Sequence, residues 1–341
     1  MGTGECVLRK RTLVSSADGL GISVLTCRPE RDIRGIVQLV HGMCEHKERY
    51  IPFMKYLAEN GFACIIHDHR GHGESVKSSD DLGYFYEGGY IAMIEDVRSV
   101  TLLAQEEFRI ELESGELPII LFGHSMGSMA VRSFAKRYDG YIDGLVVCGS
   151  PSYNPGLKLG KALARCYKVI VGKKHRPSFI QSIAFGAFNK GFDHEASDNA
   201  WICSDPEIVR AYDADPKCNF QFTTDGFINL FSLMQDAYDI TGWSKRNPSL
   251  PILFVSGEED PCMINGERFR MAVGTMQKAG YSDVRSKTYP GMRHEILNET
   301  GKEAVWGDIL GFCEAVIDRK GNTCCCANGS NGPDSKSNQQ Q

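Results

Sequence analysis

The chain has 341 residues, a formal net charge of −5 and 42% hydrophobic residues. This composition is ordinary for a globular protein, and the length suits one large α/β domain or two small ones. The mild negative charge argues against a nucleic-acid partner. No stretch approaches the roughly 18 apolar residues that span a membrane, and the N-terminus lacks the apolar segment of a signal peptide.

The chain contains 13 cysteines, an odd number that argues against a complete disulfide framework. Several of them, such as Cys64 and Cys148, lie in apolar segments typical of strands, where a free thiol behaves as a small hydrophobic group. The spacings do not match a zinc site, so we expect neither a metal nor another cofactor. A reducing compartment fits best, and we expect a cytoplasmic protein that can touch a membrane surface.

Strands and helices alternate along most of the chain. A hairpin is predicted over residues 10–28, around the turn "ADGLG". Further strands are predicted over 35–42, 62–68, 117–123, 144–150, 250–257 and 283–291, and helices over 48–61, 89–108, 124–134 and 301–320. This alternation predicts a mostly parallel sheet with helices on both faces, to which the hairpin adds antiparallel strands at one edge.

Two segments depart from this alternation. Residues 151–225 contain helical and irregular pieces without a clear strand, which predicts an inserted cap subdomain. Residues 321–341 are rich in Cys, Gly, Ser, Asn and Gln, and we expect a disordered tail that activity does not need. We therefore predict a core made of residues 1–150 and 226–320.

A serine lies between two glycines where a predicted strand meets a predicted helix, in "LFGHSMGS". The segment matches the pattern G-x-S-x-G, in which the serine occupies a strained turn. Side chains at Gly123 and Gly127 would clash in so tight a bend, and His124 completes the joint. The helix start supplies free N–H groups that favour an oxyanion. A simple serine helix cap is the alternative, but we predict that Ser125 is a nucleophile.

A serine nucleophile needs a base and an acid that orients it, and in this architecture they follow in the order acid, then histidine. One predicted strand is followed by Glu258, Glu259 and Asp260, and the next by His294. The C-terminal ends of parallel strands meet at one edge, where ligands collect. We expect His294 to be the base and Asp260, directly before a proline, to be the acid.

Two backbone N–H groups are needed to bind an oxyanion. One should belong to Met126, which follows the nucleophile. The other should come from the loop "HGMCEH", where Gly42 lets the backbone approach the substrate and the Met43 N–H is the expected donor. We expect His41 to brace this loop without transferring protons.

Five motifs in this order resemble one enzyme family: "HGMCEHKERY", "DHRGHGES", "GHSMGS", "SGEEDP" and "MRHEILNE". The chain resembles the monoacylglycerol lipase and lysophospholipase-like branch of the α/β-hydrolase superfamily, also called serine aminopeptidase-like hydrolases, over roughly residues 8–320. The resemblance implies an α/β-hydrolase fold with an inserted helical cap. It also implies a triad of Ser125, Asp260 and His294, with Met43 and Met126 as oxyanion donors. The pair Met43-Cys44 and the cysteine-rich tail depart from the family pattern.

The resemblance implies hydrolysis of carboxylic esters of lipids, most directly monoacylglycerols. A lysophospholipase and an acyl-amide or aminoacyl peptidase are the alternatives within the superfamily. A catalytically silent binding protein on the same fold would lack a triad member, and none is missing. Ser125 argues against dehalogenases and epoxide hydrolases, which use an aspartate nucleophile.

The predicted cap begins with a basic segment, residues 157–176, which carries seven Lys or Arg and no acid. Its apolar residues Leu159, Leu163, Cys166 and Ile170 recur at helical spacing and form one stripe. Two interpretations remain open. The stripe packs on the core, or it faces outward and docks on lipid while the basic residues attract anionic head groups.

Overall fold

The computed structural model describes residues 6–109, 117–192 and 197–328, with side chains up to 320 apart from that of Arg109. Eight strands form one sheet in the order β1-β2-β4-β3-β5-β6-β7-β8, with β1 and β2 antiparallel to their neighbours and the other pairs parallel. The predicted hairpin therefore lies at the edge, as expected. The strands are β1 Val7–Val14, β2 Gly21–Arg28, β3 Gly35–Val40, β4 Phe62–His67, β5 Ile119–His124, β6 Gly144–Cys148, β7 Ile252–Gly257 and β8 Val284–Tyr289.

Nine helices accompany this sheet in the described ranges: α1 Ile51–Glu59, α2 Gly89–Arg109, α3 Met126–Tyr138, α4 Leu157–Val171, α5 Ser178–Phe185, α6 Pro206–Ala214, α7 Thr224–Tyr238, α8 Gly266–Ala279 and α9 Lys302–Asn328. Two apolar cores cover the two faces of the sheet. Helices α2, α3, α7 and α8 contribute to one core, and α1 and α9 contribute to the other. No helix in the described ranges is long and apolar enough to cross a bilayer.

The central strands consist mostly of apolar residues because helices cover both sides of them. Every residue of β3, β4, β5 and β6 is buried, whereas β1 at the edge is almost entirely exposed. Helix α1 ends before Gly61, whose φ of 84° is the left-handed conformation that closes a helix at low cost in glycine. The candidate functional residues follow the C-terminal ends of β3, β5, β7 and β8.

The described chain between β6 and α7, called the inserted segment below, forms helices, turns and coil. Helix α4 packs mainly on α7 through its buried Leu157 and Ala164. The stripe found in the sequence faces away from this contact, because Leu159 is 67% exposed and Ile170 is 80% exposed. Of the two interpretations left open for this stripe, the one in which it packs on the core is therefore wrong. Helical periodicity identified residues that share one face, but the buried residues of α4 are Leu157 and Ala164, which lie outside that stripe.

The C-terminal boundary also differs from the prediction. Helix α9 continues to Asn328, past the boundary predicted at 320. An established helix extends at little cost because each added residue gains one backbone hydrogen bond. The prediction of disorder is therefore wrong for 321–328, and its remainder, 329–341, lies outside the described residues.

Candidate active site

Ser125 occupies a sharp turn between β5 and α3. Its φ of 52° and ψ of −117° depart from both the strand before it and the helix after it. A Cβ at Gly123 would lie 2.4 Å from the Gly127 carbonyl oxygen, and one at Gly127 would lie 2.2 Å from that of Val40. Both distances are below any real contact, so the turn requires glycine on each side of the serine.

His294 and Asp260 meet at the same edge of the sheet. The His294 Nδ1–H donates to both carboxylate oxygens of Asp260, each at 3.0 Å, and both residues are buried. Asp260 is fixed in turn by the Cys262 N–H, which donates to Oδ1 at 2.8 Å. The neighbouring acids Glu258 and Glu259 are exposed. Of the three acidic residues in this loop, the structure thus brings Asp260 to the histidine.

Ser125 and His294 line one cavity, but no hydrogen bond joins their side chains in the part of the chain that the structure describes. Such contacts are often longer in enzymes without substrate and tighten when it binds. The bond between His294 Nδ1 and Asp260 leaves Nε2 as the nitrogen that can accept the serine proton.

The loop after β3 approaches Ser125 closely. A Cβ at Gly42 would lie 3.1 Å from the Cβ of Ser125 and 2.6 Å from a carboxylate oxygen of Glu45. Neither the Met43 N–H nor the Met126 N–H has a hydrogen-bond acceptor among the described residues. Two free backbone donors therefore flank the nucleophile, where an oxyanion would form.

Cys44 follows Met43 in a conformation that usually belongs to glycine, with φ at 55°. Its thiol lies 2.8 Å from the Phe220 carbonyl oxygen and donates to it. Burial, followed by the neighbouring Cys218, raises the pKa of this thiol well above its ordinary value. Cys44 is therefore a neutral thiol that ties the oxyanion loop to the segment before α7.

His41 bonds only to backbone. Its Nδ1–H donates to the Gly42 carbonyl at 2.8 Å, and its Nε2 accepts from the His69 N–H at 2.9 Å. Burial, then the nearby rings of His69 and His72, lowers the pKa of His41 well below its usual range. His41 is thus a neutral ring that joins two loops.

A buried ion pair supports the site from behind. The His124 ring donates from Nδ1 to Glu45 at 3.1 Å and from Nε2 to the His294 carbonyl at 3.2 Å. Burial opposes the charged form of His124, but the hydrogen bond and charge of Glu45 outweigh it and raise the pKa of His124. Glu45 also accepts from the Gly42 N–H and the Tyr50 hydroxyl, so one carboxylate joins its own loop to Tyr50 and to the end of β5.

Arg49 extends this network to the histidine loop. Its guanidinium donates to both carboxylate oxygens of Glu295 at 2.7 Å and to Glu45 at 3.0 Å. Sequence analysis included His124 but missed Glu45, Arg49 and Glu295. These three residues lie inside the motifs "HGMCEHKERY" and "MRHEILNE". That position could have indicated an ion-pair network, because a buried charged residue needs a partner.

Trp201 from the inserted segment lies against His294, with ring centroids 5.0 Å apart. Phe188 packs on the far side of Trp201 at 5.1 Å. The Arg293 guanidinium donates to the carbonyls of Ala200 and Cys203, so the histidine loop and this segment are joined. Sequence analysis missed Trp201, because nothing in "NAWICSDP" shows that it reaches the site.

The cavity above Ser125 has a volume of about 790 Å³. Gly42, Met43, Met126 and His294 form its floor. Its walls are mostly apolar and come largely from the inserted segment, with Leu157, Leu159, Leu163, Phe179, Ile180 and Ile183 among them. The arrangement suits a ligand with a long apolar part and one polar group held at the floor.

Comparison with known families agrees with this geometry. The family described as serine aminopeptidase, S33, matches residues 31–301, which is most of the chain. The chain belongs to the S33 serine aminopeptidase family. Its fold is the α/β-hydrolase fold, and the predicted family and fold are both confirmed.

Individual relatives point the same way. A monoacylglycerol lipase from Mycolicibacterium smegmatis is 29% identical over 83% of this chain and 89% of its own length. The crystal structure of a thermostable carboxyl esterase from Bacillus coagulans, in complex with glycerol, is 28% identical with a TM-score of 0.82, covering 91% of this chain and 99% of that one. A monoglyceride lipase structure from Saccharomyces cerevisiae, at 19% identity and a TM-score of 0.66, covers 92% and 96% and shares the fold.

Proposed function

We propose that this S33 family member hydrolyses carboxylic esters of monoacylglycerols through an acyl-enzyme on Ser125. The observation that carries the proposal is the position of Ser125, in a strained turn that lines a mostly apolar cavity together with His294. The relative from Mycolicibacterium smegmatis, a monoacylglycerol lipase, supports the same substrate class.

In the proposed reaction, His294 Nε2 takes the proton of the Ser125 hydroxyl while Oγ attacks the ester carbonyl carbon. The carbonyl oxygen becomes an oxyanion, which the N–H groups of Met43 and Met126 stabilise. The protonated His294 then gives its proton to the ester oxygen, so that the C–O bond breaks and glycerol leaves. Water attacks the acyl-enzyme by the same route and releases the fatty acid.

Asp260 orients His294 and stabilises its positive charge during both steps. Its two hydrogen bonds to Nδ1–H fix the tautomer in which Nε2 is a base. The Cys262 N–H keeps the carboxylate in place, and Trp201 covers one side of the histidine ring. In this proposal the pair from Glu45 to His124 positions the oxyanion loop and takes no part in proton transfer.

The acyl chain is proposed to lie along the apolar wall. Residues 151–225 would act as the cap that forms this wall and shields the reaction from water. Leu159 and Leu163 line the cavity and are also exposed, so the wall continues onto the surface of α4. An acyl chain could thus reach Ser125 along a continuous apolar path.

We further propose that this surface touches membranes or micelles. Seven of the fifteen exposed large apolar residues of the described chain lie on α4 and α5: Leu159, Leu163, Val169, Ile170, Val171, Phe179 and Ile183. Several basic residues of the segment are instead paired within the protein, since Lys168 pairs with Asp225 at 2.9 Å, Lys173 pairs with Glu87 and Lys174 pairs with Asp81. The charge left for a membrane is therefore smaller than the sequence suggests, and apolar contact is the larger contribution.

A panel of esters tests the proposed substrate. We expect monoacylglycerols with long acyl chains to have a higher kcat/KM than lysophospholipids, and aminoacyl arylamides to react slowest. Ser125→Ala should lower every rate by several orders of magnitude while thermal stability stays the same, since about 10⁶ in kcat is lost for a comparable serine nucleophile. A faster rate with aminoacyl arylamides than with any ester would contradict the proposal.

A further inference from the structure

A second cavity lies outside the active site, between α4, α7 and α8. Its volume is about 610 Å³, which is in the range that holds a small ligand. Lys158 and Lys161 of α4 line one side, and Arg268 and Lys278 of α8 line another. Helices α7 and α8 belong to the core, so this groove joins the core to the inserted segment.

The positive charge of this groove is not used inside the protein. Lys158, Arg268 and Lys278 have no ion pair or side-chain hydrogen bond with any residue of the described ranges. Lys161 bonds only to the uncharged amide of Gln235, at 2.8 Å. Four cations in one groove repel one another, and a bound anion would relieve that repulsion.

The two acids at the groove do not neutralise these cations, because other partners already hold them. Asp236 pairs with Arg137 at 2.6 Å, and Asp239 pairs with Lys136 at 3.1 Å. The excess positive charge is notable in a chain whose formal net charge is −5. The groove also offers hydroxyl groups, since Tyr90 and Tyr153 line it.

Helix α4 links this groove to the exposed apolar surface. At about 100° per residue, Lys158 and Lys161 lie on one edge of the helix, and Leu159 and Leu163 lie on the next. The first edge faces the groove and the second faces the mouth of the active-site cavity. If Leu159 and Leu163 insert into a bilayer, the lipid head groups would therefore lie beside the groove.

We propose that the groove binds the phosphodiester head group of an anionic phospholipid, with Arg268 and Lys278 of the core as ligands together with Lys158 and Lys161. This proposal rests on the membrane contact proposed above and names the lipid that would hold the enzyme there. A bound head group would bridge α4 and α8 and orient the cavity mouth toward the bilayer. A soluble phosphate compound has the same recognition chemistry, and the experiment separates the two.

The test compares two double variants with equal changes of charge. Arg268→Gln with Lys278→Gln removes two groove cations, and Arg270→Gln with Lys55→Gln removes two exposed cations that do not line the groove. Binding to phosphatidylcholine vesicles that contain phosphatidylglycerol is measured by co-sedimentation at low salt. We expect the groove variant to bind about 25-fold more weakly, at about a factor of five per basic residue. The control variant should bind like wild type, and both should hydrolyse a short water-soluble ester normally.

Equal loss of vesicle binding in both variants would overturn the head-group site, because general surface charge would then explain it. If the groove variant binds like wild type while Leu163→Asn with Ile170→Asn loses binding, the membrane contact stands and the head-group site falls. If the wild type binds glycerophosphoglycerol in calorimetry but no vesicle, the ligand is a soluble phosphate and the lipid assignment is wrong. If the wild type binds neither the vesicles nor glycerophosphoglycerol, the head-group site and the membrane contact are both wrong. The ester panel then still tests the proposed substrate independently.

Discussion

Asp260 differs from its two acidic neighbours in where its oxygens point. Both of its carboxylate oxygens face His294 Nδ1, whereas Glu258 bonds to the Thr288 hydroxyl at the surface. Asp260→Asn should lower kcat about 10⁴-fold, because the amide favours the wrong tautomer of the histidine. Steady-state kinetics with a soluble ester measures this loss.

Glu259→Gln is the matched control for that variant, since it neutralises the adjacent exposed acid. Its kcat should stay close to the wild-type value. If Glu259→Gln is crippled and Asp260→Asn is active, then Asp260 is not the residue that orients the histidine.

For individual residues, the sequence could predict those that have a fixed position in a motif. Ser125, Asp260 and His294 follow strands in a fixed order, so their convergence could be expected from topology alone. Trp201 could not be predicted, because its contact with His294 depends on how the inserted segment folds over the core. The role of Glu45 was equally hidden, since its partner His124 is 79 positions away.

The turn between β5 and α3 requires that the backbone at Gly127 lies very close to the backbone at the end of β3. Gly127→Ala would place a methyl group 2.2 Å from the Val40 carbonyl oxygen and 2.5 Å from that of His41. We expect it to destabilise the protein by about 1–3 kcal/mol and to lower kcat, because the Met126 N–H would move. Urea unfolding and ester kinetics measure the two effects.

Gly307→Ala in α9 is the matched control. That glycine is exposed within the helix, and a Cβ there would meet nothing within 4 Å. The substitution should stabilise the protein by about 0.5–1 kcal/mol, since alanine loses less backbone entropy in a helix. Equal effects of the two substitutions would show that close packing does not constrain the joint.

At the scale of elements, the central strands β3, β4, β5 and β6 were predictable because apolar residues dominate them. The orientation of α4 was not. Periodicity tells which residues share a face, but Leu159 and Ile170 are exposed because α4 buries Leu157 and Ala164 instead. The end of α9 was also missed, because composition alone does not show where a helix stops.

The whole molecule contains a cluster of buried histidines that predicts acid sensitivity. Burial, then the charge of Lys47, lowers the pKa of His67 to about 3, and burial lowers that of His72 to about 4. Because the unfolded chain binds these protons near pH 6.5, stability is lost as pH falls from about 6.5 toward these values. His67 alone should account for about 2 kcal/mol at pH 5.

His67→Leu isolates this contribution, since neither ring nitrogen of His67 has a hydrogen-bond partner among the described residues. Its free energy of unfolding should fall by about 2 kcal/mol less than that of wild type between pH 7 and pH 5. The pKa values of His46 and His124 are raised, so their contributions to stability change with pH in the opposite sense. Both histidines are present in wild type and in His67→Leu, so they do not affect the comparison. Parallel curves for His67→Leu and wild type would contradict the prediction.

The central claim is that Ser125 is the nucleophile of an ester hydrolase. The most direct measurement is labelling with a fluorophosphonate, followed by mass spectrometry of the peptides. The account predicts one phosphonyl group on the peptide that contains Ser125, parallel loss of ester hydrolysis, and no label in Ser125→Ala. A label on another residue that abolishes activity, or ester hydrolysis by Ser125→Ala at the wild-type rate, would contradict the account.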